Sequence, residues 1–308
     1  MNTSTAPFWK PDSETVNHAN VTAFAAELGI DTYENLHRWS VKHRAEFWEK
    51  SIHRLGIEFR TAPDEILAHP VDPKDPHWLP GARLNIAESC FQADSEAVAV
   101  TFEHQCERGR LTYGQLEALV DRVAHGLHQL GLHRGSRVAI AMPMTVQAVA
   151  GYLGIVKAGC VVVSVADSFA PGEIQTRLEI AGADAVLTQG AIHRGRRTLP
   201  MYAKVLEAEA PRAIVFEPEP DQLREGDVDW EEFLGPTEPF EAIEVGADDY
   251  MNILFSSGTT GTPKAIPWTH LTPIKSAVDA HFHHDIRPGD VLAWPTNLGW
   301  MMGPWLIY

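Results

Sequence analysis

The chain has 308 residues, 44% of them hydrophobic, enough for one large or two ordinary globular domains with a real core. Its 41 acidic and 25 basic residues give a net charge of -16, which excludes a general nucleic-acid binder, because phosphate-backbone affinity needs clustered positive charge. Cys90, Cys106 and Cys160 lack the spacing of a zinc site and the even count of a disulfide framework, so a reducing, cytoplasm-like compartment is expected.

In chain order, apolar residues from Leu28 to Leu55, among them Leu36, Trp39, Phe47, Trp48 and Ile52, recur at helical spacing and predict two helical segments between Val16 and Ile57. The stretch from His69 to Gly81, with Pro70, Pro73, Pro76 and Pro80, has no periodicity and reads as an extended connection. Residues 1–80 are therefore expected to form a helical extension and linker, and 81–308 to form part of a larger domain. The opening residues carry Lys10, Asp12, Glu14 and His18 in place of a signal-peptide core, and no later apolar run approaches the ~20 residues of a membrane span.

From Ala97 onward the pattern alternates. Strands are predicted over Ala97–Phe102, Val138–Met142, Cys160–Val165, Ala185–Thr188 and Ile214–Phe216. Helices are predicted between them over Tyr113–Leu130, Val146–Lys157, Pro171–Ala181 and Met201–Glu209. Such alternation implies parallel pairing with right-handed crossovers, hence an α/β fold of mostly parallel sheets flanked by helices behind a helical N-terminal extension. Gly131, Gly135 and Gly159 fall where helices should stop. The acidic stretch between Glu207 and Asp249 reads as a solvated surface.

A buried strand predicted over Met251–Phe255 runs into Ser256, Ser257, Gly258, Thr259, Thr260, Gly261, Thr262, Pro263 and Lys264, followed by a strand over Ala265–Trp268. A plain surface hairpin needs only a few turn residues. Here the glycines free backbone N–H groups to turn toward an anion, the hydroxyls add donors, and Lys264 adds a mobile positive charge. The spacing is not that of the Walker loop, which weakens kinase and GTPase readings.

The run from Ser256 to Lys264 resembles the phosphate-binding signature of the adenylate-forming (AMP-binding) superfamily. Leu111-Thr112-Tyr113, Val156-Lys157-Ala158-Gly159 and Asn297-Leu298-Gly299-Trp300 follow the family's order. The Phe47-Trp48 helix and the run Trp78 to Asn85 resemble the N-terminal part of acetyl-, propionyl- and acetoacetyl-CoA synthetases. The resemblance implies ATP-dependent activation of a short- or medium-chain carboxylic acid to an acyl-adenylate, then transfer to CoA, with Mg2+ as the metal. It implies that Ser256, Ser257, Gly258, Thr259, Thr260, Gly261 and Lys264 hold the ATP phosphates, with Thr259 and Lys264 catalytic and Thr259 near Mg2+.

Arg194-Gly195-Arg196-Arg197 resembles a stretch that meets the phosphates of CoA, which makes Arg194 and Arg197 CoA candidates; a solvated charge cluster would look the same. Gly299 to Gly303 resembles an acyl-pocket segment, with Trp300, Met301 and Met302 as candidate lining. The two methionines replace smaller residues of the acetyl-specific pattern and put acetate itself in question, although methionines also fill ordinary cores. His281, His283, His284 and Asp285 read as a polar helix end, because one helix face cannot carry them all.

The apolar run from Gly303 to Tyr308 leads to the expectation that the chain stops within a domain. The adenine, ribose and catalytic-lysine residues of the family would then lie beyond Tyr308, and a peroxisomal or other organelle address stays open beside the cytoplasm. Two alternatives also stay open: an adenylate-former with another acyl acceptor, and a non-catalytic fragment.

Overall fold

The structure, a computed structural model, describes residues 9–68, 76–104, 107–194, 197–256 and 261–308, with Arg194 described by its backbone alone. Helices α1 (Ser13–His18), α2 (Asn20–Glu27), α3 (Tyr33–Lys42) and α4 (Arg44–Arg54) lead to short strands β1 (Leu67–Ala68), β2 (His77–Trp78) and β3 (Arg83–Leu84). A hairpin of β4 (Val98–His104) and β5 (Glu107–Thr112) follows, then α5 (Tyr113–Gln129), β6 (Arg137–Ala141), α6 (Val146–Lys157), β7 (Val161–Ser164), α7 (Pro171–Ala181) and β8 (Ala185–Gln189). Next come β9 (Ile192–Arg194), β10 (Arg197–Leu199), α8 (Met201–Glu207), β11 (Arg212–Phe216), β12 (Val228–Asp229), α9 (Trp230–Phe233) and β13 (Val245–Gly246). The last elements are β14 (Tyr250–Ser256), β15 (Lys264–Thr269), α10 (Leu271–His283) and α11 (Met302–Ile307).

Among the described residues the N-terminal region holds four helices where two segments were expected. Ala19 is extended at φ -62, ψ 139 and separates α1 from α2. Gly29, at φ +65, follows the end of α2, and His43, at φ -113, ψ 52, separates α3 from α4. Such breaks are set by single residues and are invisible to a periodicity reading. The helices bury Phe24 and Leu36 against Val278 and Phe282 of α10, with the Phe24 and Phe282 ring centroids 5.0 Å apart. Around that seam Asn20 donates from Nδ2 to the carbonyls of His281 and Ile286, each at 3.0 Å, and its N–H donates to Asp285 at 2.7 Å. The polar end of α10 is thus a docking seam, and among the described residues no group of metal-ligating side chains occurs.

Seven strands form the main sheet in the order β12-β11-β8-β6-β7-β14-β15, all neighbouring pairs parallel except β14 with β15. Alternate strand residues face opposite layers, as a period of two requires. Ile140, Val162, Leu187, Ile214 and Leu254 join a core with α5, α6 and Ile274 of α10, while Ala139, Val163, Val186, Val215 and Ile253 join a second core with α7 and α8. The fold is α/β, a mostly parallel sheet flanked by helices behind a helical extension. Among the described residues no helix is long and apolar enough to cross a membrane.

The segment just past β3 is fastened by Asn85, whose buried amide donates to the carbonyls of Val156 at 2.9 Å, Lys157 at 3.2 Å and Ile243 at 2.9 Å. Gly131 and Gly159, at φ +78 and +69, end α5 and α6 as expected, whereas Gly135 lies in the turn that enters β6. The acidic segment is exposed at Glu217, Glu219, Asp221, Glu225, Glu231 and Glu232. Asp227 departs from that reading: its side chain is 1% exposed and accepts from the Tyr202 hydroxyl at 2.7 Å and the Ala213 N–H at 2.8 Å.

Candidate active site

Chain connectivity opens a crevice at the carboxyl edge of the sheet. The chain leaves β6 into α6 on one face, and it leaves the adjacent β7 into α7 on the other. Diverging connections of this kind leave room for a ligand outside the strand ends. Beside β7, β14 ends at the same edge, and it does so at Ser256, the first residue of the hydroxyl-rich loop.

That loop closes a hairpin between β14 and β15. Ser256 pairs with Lys264 and Phe255 with Ala265, so the lysine that ends the run lies across from the serine that begins it. Lys264 is exposed. Gly261 has φ +87, a conformation in which an L side chain is strained, and nothing lies within 4 Å of a Cβ built there, so backbone conformation alone demands glycine. Ser257, Gly258, Thr259 and Thr260 lie outside the described residues. Among the described residues β15 is the exposed edge of the sheet, where Pro267 is tolerated because no described strand needs its missing N–H.

The neighbouring rim is built by Asp167, just past β7. Asn297 donates from Nδ2 to Oδ1 of Asp167 at 3.1 Å and accepts the Gly299 N–H at 3.0 Å. A Cβ on Gly299 would lie 2.3 Å from the Ala166 nitrogen, so glycine is what lets the 297–300 segment seat on the strand end. Lys204 donates from Nζ to the Asp167 carbonyl at 2.9 Å. The segment also presents Trp300, which is 56% exposed. Trp300 and Met302 line an open cavity of about 590 Å³ with Trp294, Pro295, Thr296 and Asn297. Met301 is exposed and outside that lining.

Arg194 and Arg197 pair across the β9–β10 hairpin, where Arg197 is exposed. That hairpin follows β8, three strand spacings or about 14 Å from β14. The fold therefore gathers Ser256, Lys264 and the 297–300 segment around the ends of β7 and β14, and sets the arginines farther along the same edge.

Three buried residues escaped the sequence reading: Asp167 and Arg177 near this edge, and His270 past the far end of β15, at the opposite edge of the sheet. Asp167 had a signal in principle, an acid just past the buried run Val161–Ser164. Arg177, on α7, had none. His270, which begins the turn into α10, is 1% exposed, and its Nδ1 accepts the Ile86 N–H at 3.2 Å. Burial pushes its pKa down to about 4, against a smaller opposing pull from Asp249.

An exposed lysine, a strand-end hydroxyl and a left-handed glycine on a crevice edge suit a polyphosphate anion. The family described as AMP-binding enzyme matches residues 87–308, and the family described as acetyl-coenzyme A synthetase N-terminus matches residues 33–90. The chain is 41% identical to the Arabidopsis thaliana protein named "Probable acyl-activating enzyme 17, peroxisomal" and 41% identical to the hexanoyl-CoA synthase of Cannabis sativa. Each match covers 98% of this chain and 46% of the relative. A solved acetoacetyl-CoA synthetase from Streptomyces lividans superposes with a TM-score of 0.89 at 29% identity, over 98% of this chain and 49% of that one. The chain thus spans about half the length of the curated relatives it matches, and it belongs to the AMP-binding enzyme family.

Proposed function

We propose that this chain is part of an acyl-CoA synthetase that activates a short- or medium-chain carboxylic acid with ATP and passes the acyl group to CoA. The observation that carries the reading is the pairing of Ser256 with Lys264 at the end of β14, beside the crevice at β7. In this reading residues 1–80 are the helical extension and linker, and 81–308 carry the nucleotide-binding edge.

In the first half-reaction the carboxylate oxygen attacks the α-phosphorus of ATP. The bond to the pyrophosphate oxygen breaks and its electron pair leaves with pyrophosphate, giving the acyl-adenylate. Lys264 is the mobile cation that meets the growing negative charge, and Ser256, Ser257, Gly258, Thr259, Thr260 and Gly261 supply N–H and hydroxyl donors. Gly261 fits that role through the backbone conformation already described. In the second half-reaction the CoA thiolate attacks the acyl carbonyl and AMP leaves, with Arg194 and Arg197 as the groups for CoA phosphates.

Thr259 would be the protein ligand for Mg2+, an ion commonly held by few protein oxygens together with substrate phosphates. When bound, it would neutralise negative charge on the phosphates. The acyl chain is assigned to the cavity beside Trp300 and Met302, with Met301 at its rim. A name specifying hexanoyl for a relative at 41% identity favours a medium chain over acetate. The compartment is cytoplasmic in this reading, with a peroxisomal location as the alternative suggested by the name of the Arabidopsis relative.

The test is acid-dependent ATP–pyrophosphate exchange with acids from acetate to decanoate, on the 308-residue chain and on the longest product of its gene. Exchange that disappears in Lys264→Ala supports the reading and names the acid, and a comparison of CoA with carrier-protein thiols decides the acceptor. A folded protein that exchanges with none of the acids is a non-catalytic relative.

A further inference from the structure

Arg177 is 7% exposed, yet among the described residues no carboxylate forms an ion pair with it. Its Nη1 donates to the Glu173 carbonyl at 2.7 Å, and its Nε is buried without an acceptor. The guanidinium carbon lies 3.9 Å from the centroid of the Phe169 ring and 5.7 Å from that of Phe255. Burial draws its pKa down, although an arginine keeps its proton under any ordinary condition.

A charge buried with its Nε–H unmet is costly, and as plain filling between two rings a methionine or leucine would serve with no such penalty. What the arginine adds is a planar cation that holds two aromatic faces at once. Those faces are placed to matter. Phe169 lies in the connection just past β7, at the crevice, and Phe255 is the residue before Ser256, paired across the hairpin with Ala265, the residue after Lys264.

We infer that Arg177 is a positioning residue for the anion-binding hairpin: by engaging Phe169 and Phe255 together, its guanidinium sets where β14 leaves the sheet and thereby where Ser256 and Lys264 stand. This rests on the proposed polyphosphate role of that hairpin. The side chain acts through Phe255 and touches no substrate, so its loss moves the hairpin and leaves the rest of the sheet in place.

The experiment compares wild type with Arg177→Met, Arg177→Lys, Phe255→Leu and the double variant Arg177→Met/Phe255→Leu in the full chain. Pyrophosphate affinity is measured by calorimetry, and amide exchange by mass spectrometry on peptides covering 250–269 and on those covering β6, β7 and β8. Expected are affinity losses on the order of tenfold in each single variant, with no rescue by lysine, and a double variant no worse than either single one. Faster exchange should be confined to 250–269.

Wild-type affinity in Arg177→Lys or Arg177→Met overturns the inference, as does faster exchange throughout the sheet. A wild-type chain that does not bind pyrophosphate overturns the anion-binding reading itself, and the exchange comparison alone then decides whether Arg177 holds the hairpin.

Discussion

Asn297 reaches Asp167, 130 positions earlier in the chain, with a 3.1 Å hydrogen bond from Nδ2 to Oδ1. This contact seats the segment bearing Trp300 on the end of β7, and it makes two residues distant in sequence parts of one rim. Removing the donor with Asn297→Ala deprives a buried carboxylate of a partner and should cost about 1–3 kcal/mol, read as a lowered urea midpoint. Gly299→Ala should also destabilise, because its Cβ would lie 2.3 Å from the Ala166 nitrogen and the backbone would have to move. Full stability in both variants would show that the segment does not depend on this seat.

Lys264 is exposed, so Lys264→Ala should leave stability within about 0.5 kcal/mol. If Lys264 stabilises the leaving pyrophosphate, the same change should slow ATP–pyrophosphate exchange on the order of 10²-fold. A loss of exchange that merely follows a loss of fold, seen as a collapsed melting transition, would remove Lys264 from the chemistry.

Gly261→Ala should cost roughly 1–2 kcal/mol from backbone strain alone, since φ is +87 and no neighbour crowds the added carbon. Gly261→Asn, whose side chain tolerates the left-handed region better, should recover part of the loss. Equal effects of the two substitutions in thermal unfolding would argue against conformational strain as the cause.

His270 makes stability depend on pH. Its folded pKa is lowered from 6.5 to about 4, so between those values the unfolded chain takes up a proton that the folded chain refuses. Stability is therefore full above pH 6.5 and falls by about 3 kcal/mol as pH drops through the window. Denaturation midpoints across this range should show that slope in wild type and a shallower one in His270→Asn. Parallel pH profiles would assign the acid sensitivity to other groups.

Lys157 on α6 forms a buried ion pair with Asp121 on α5, each side chain being 7% exposed. Asp121→Ala should cost at most about 3–5 kcal/mol, because it leaves a buried ammonium with only the half-exposed Glu117, 3.6 Å away. The double change Asp121→Ala/Lys157→Met should regain most of that, as it removes both charges. Denaturant unfolding of the two variants checks the ordering.

The regular elements of the α/β portion could be read from local pattern. Val146–Lys157 and Pro171–Ala181 were predicted as helices and occur with those bounds, and the strands at β6, β7, β8, β11 and β14 agree to within a residue or two. The hairpin strand β5, the β9–β10 hairpin and the breaks among α1 to α4 went unread. β5 carries Glu107, Arg108 and Arg110, charges on both faces that leave no alternation to detect. The hydroxyl-rich loop was legible as a candidate because its residue types are unusual together; its setting beside the end of β7 was not, since that depends on strand order.

Periodicity and turn chemistry act over a few residues, so the amino-acid sequence alone determined which segments are helix or strand, the alternation that makes the sheet mostly parallel, and the loop chemistry from Ser256 to Lys264. Tertiary structure decided the rest. Lys264 stands across from Ser256 because β15 turns back along β14, Asp167 meets Asn297 because both reach the carboxyl edge, and Arg177 lies against Phe169 and Phe255 because α7 packs on the face that β14 shares. His270 is pushed toward neutrality only by the burial that surrounds it. These relationships join residues far apart in the chain, and their energies come from packing and desolvation, which no local window contains.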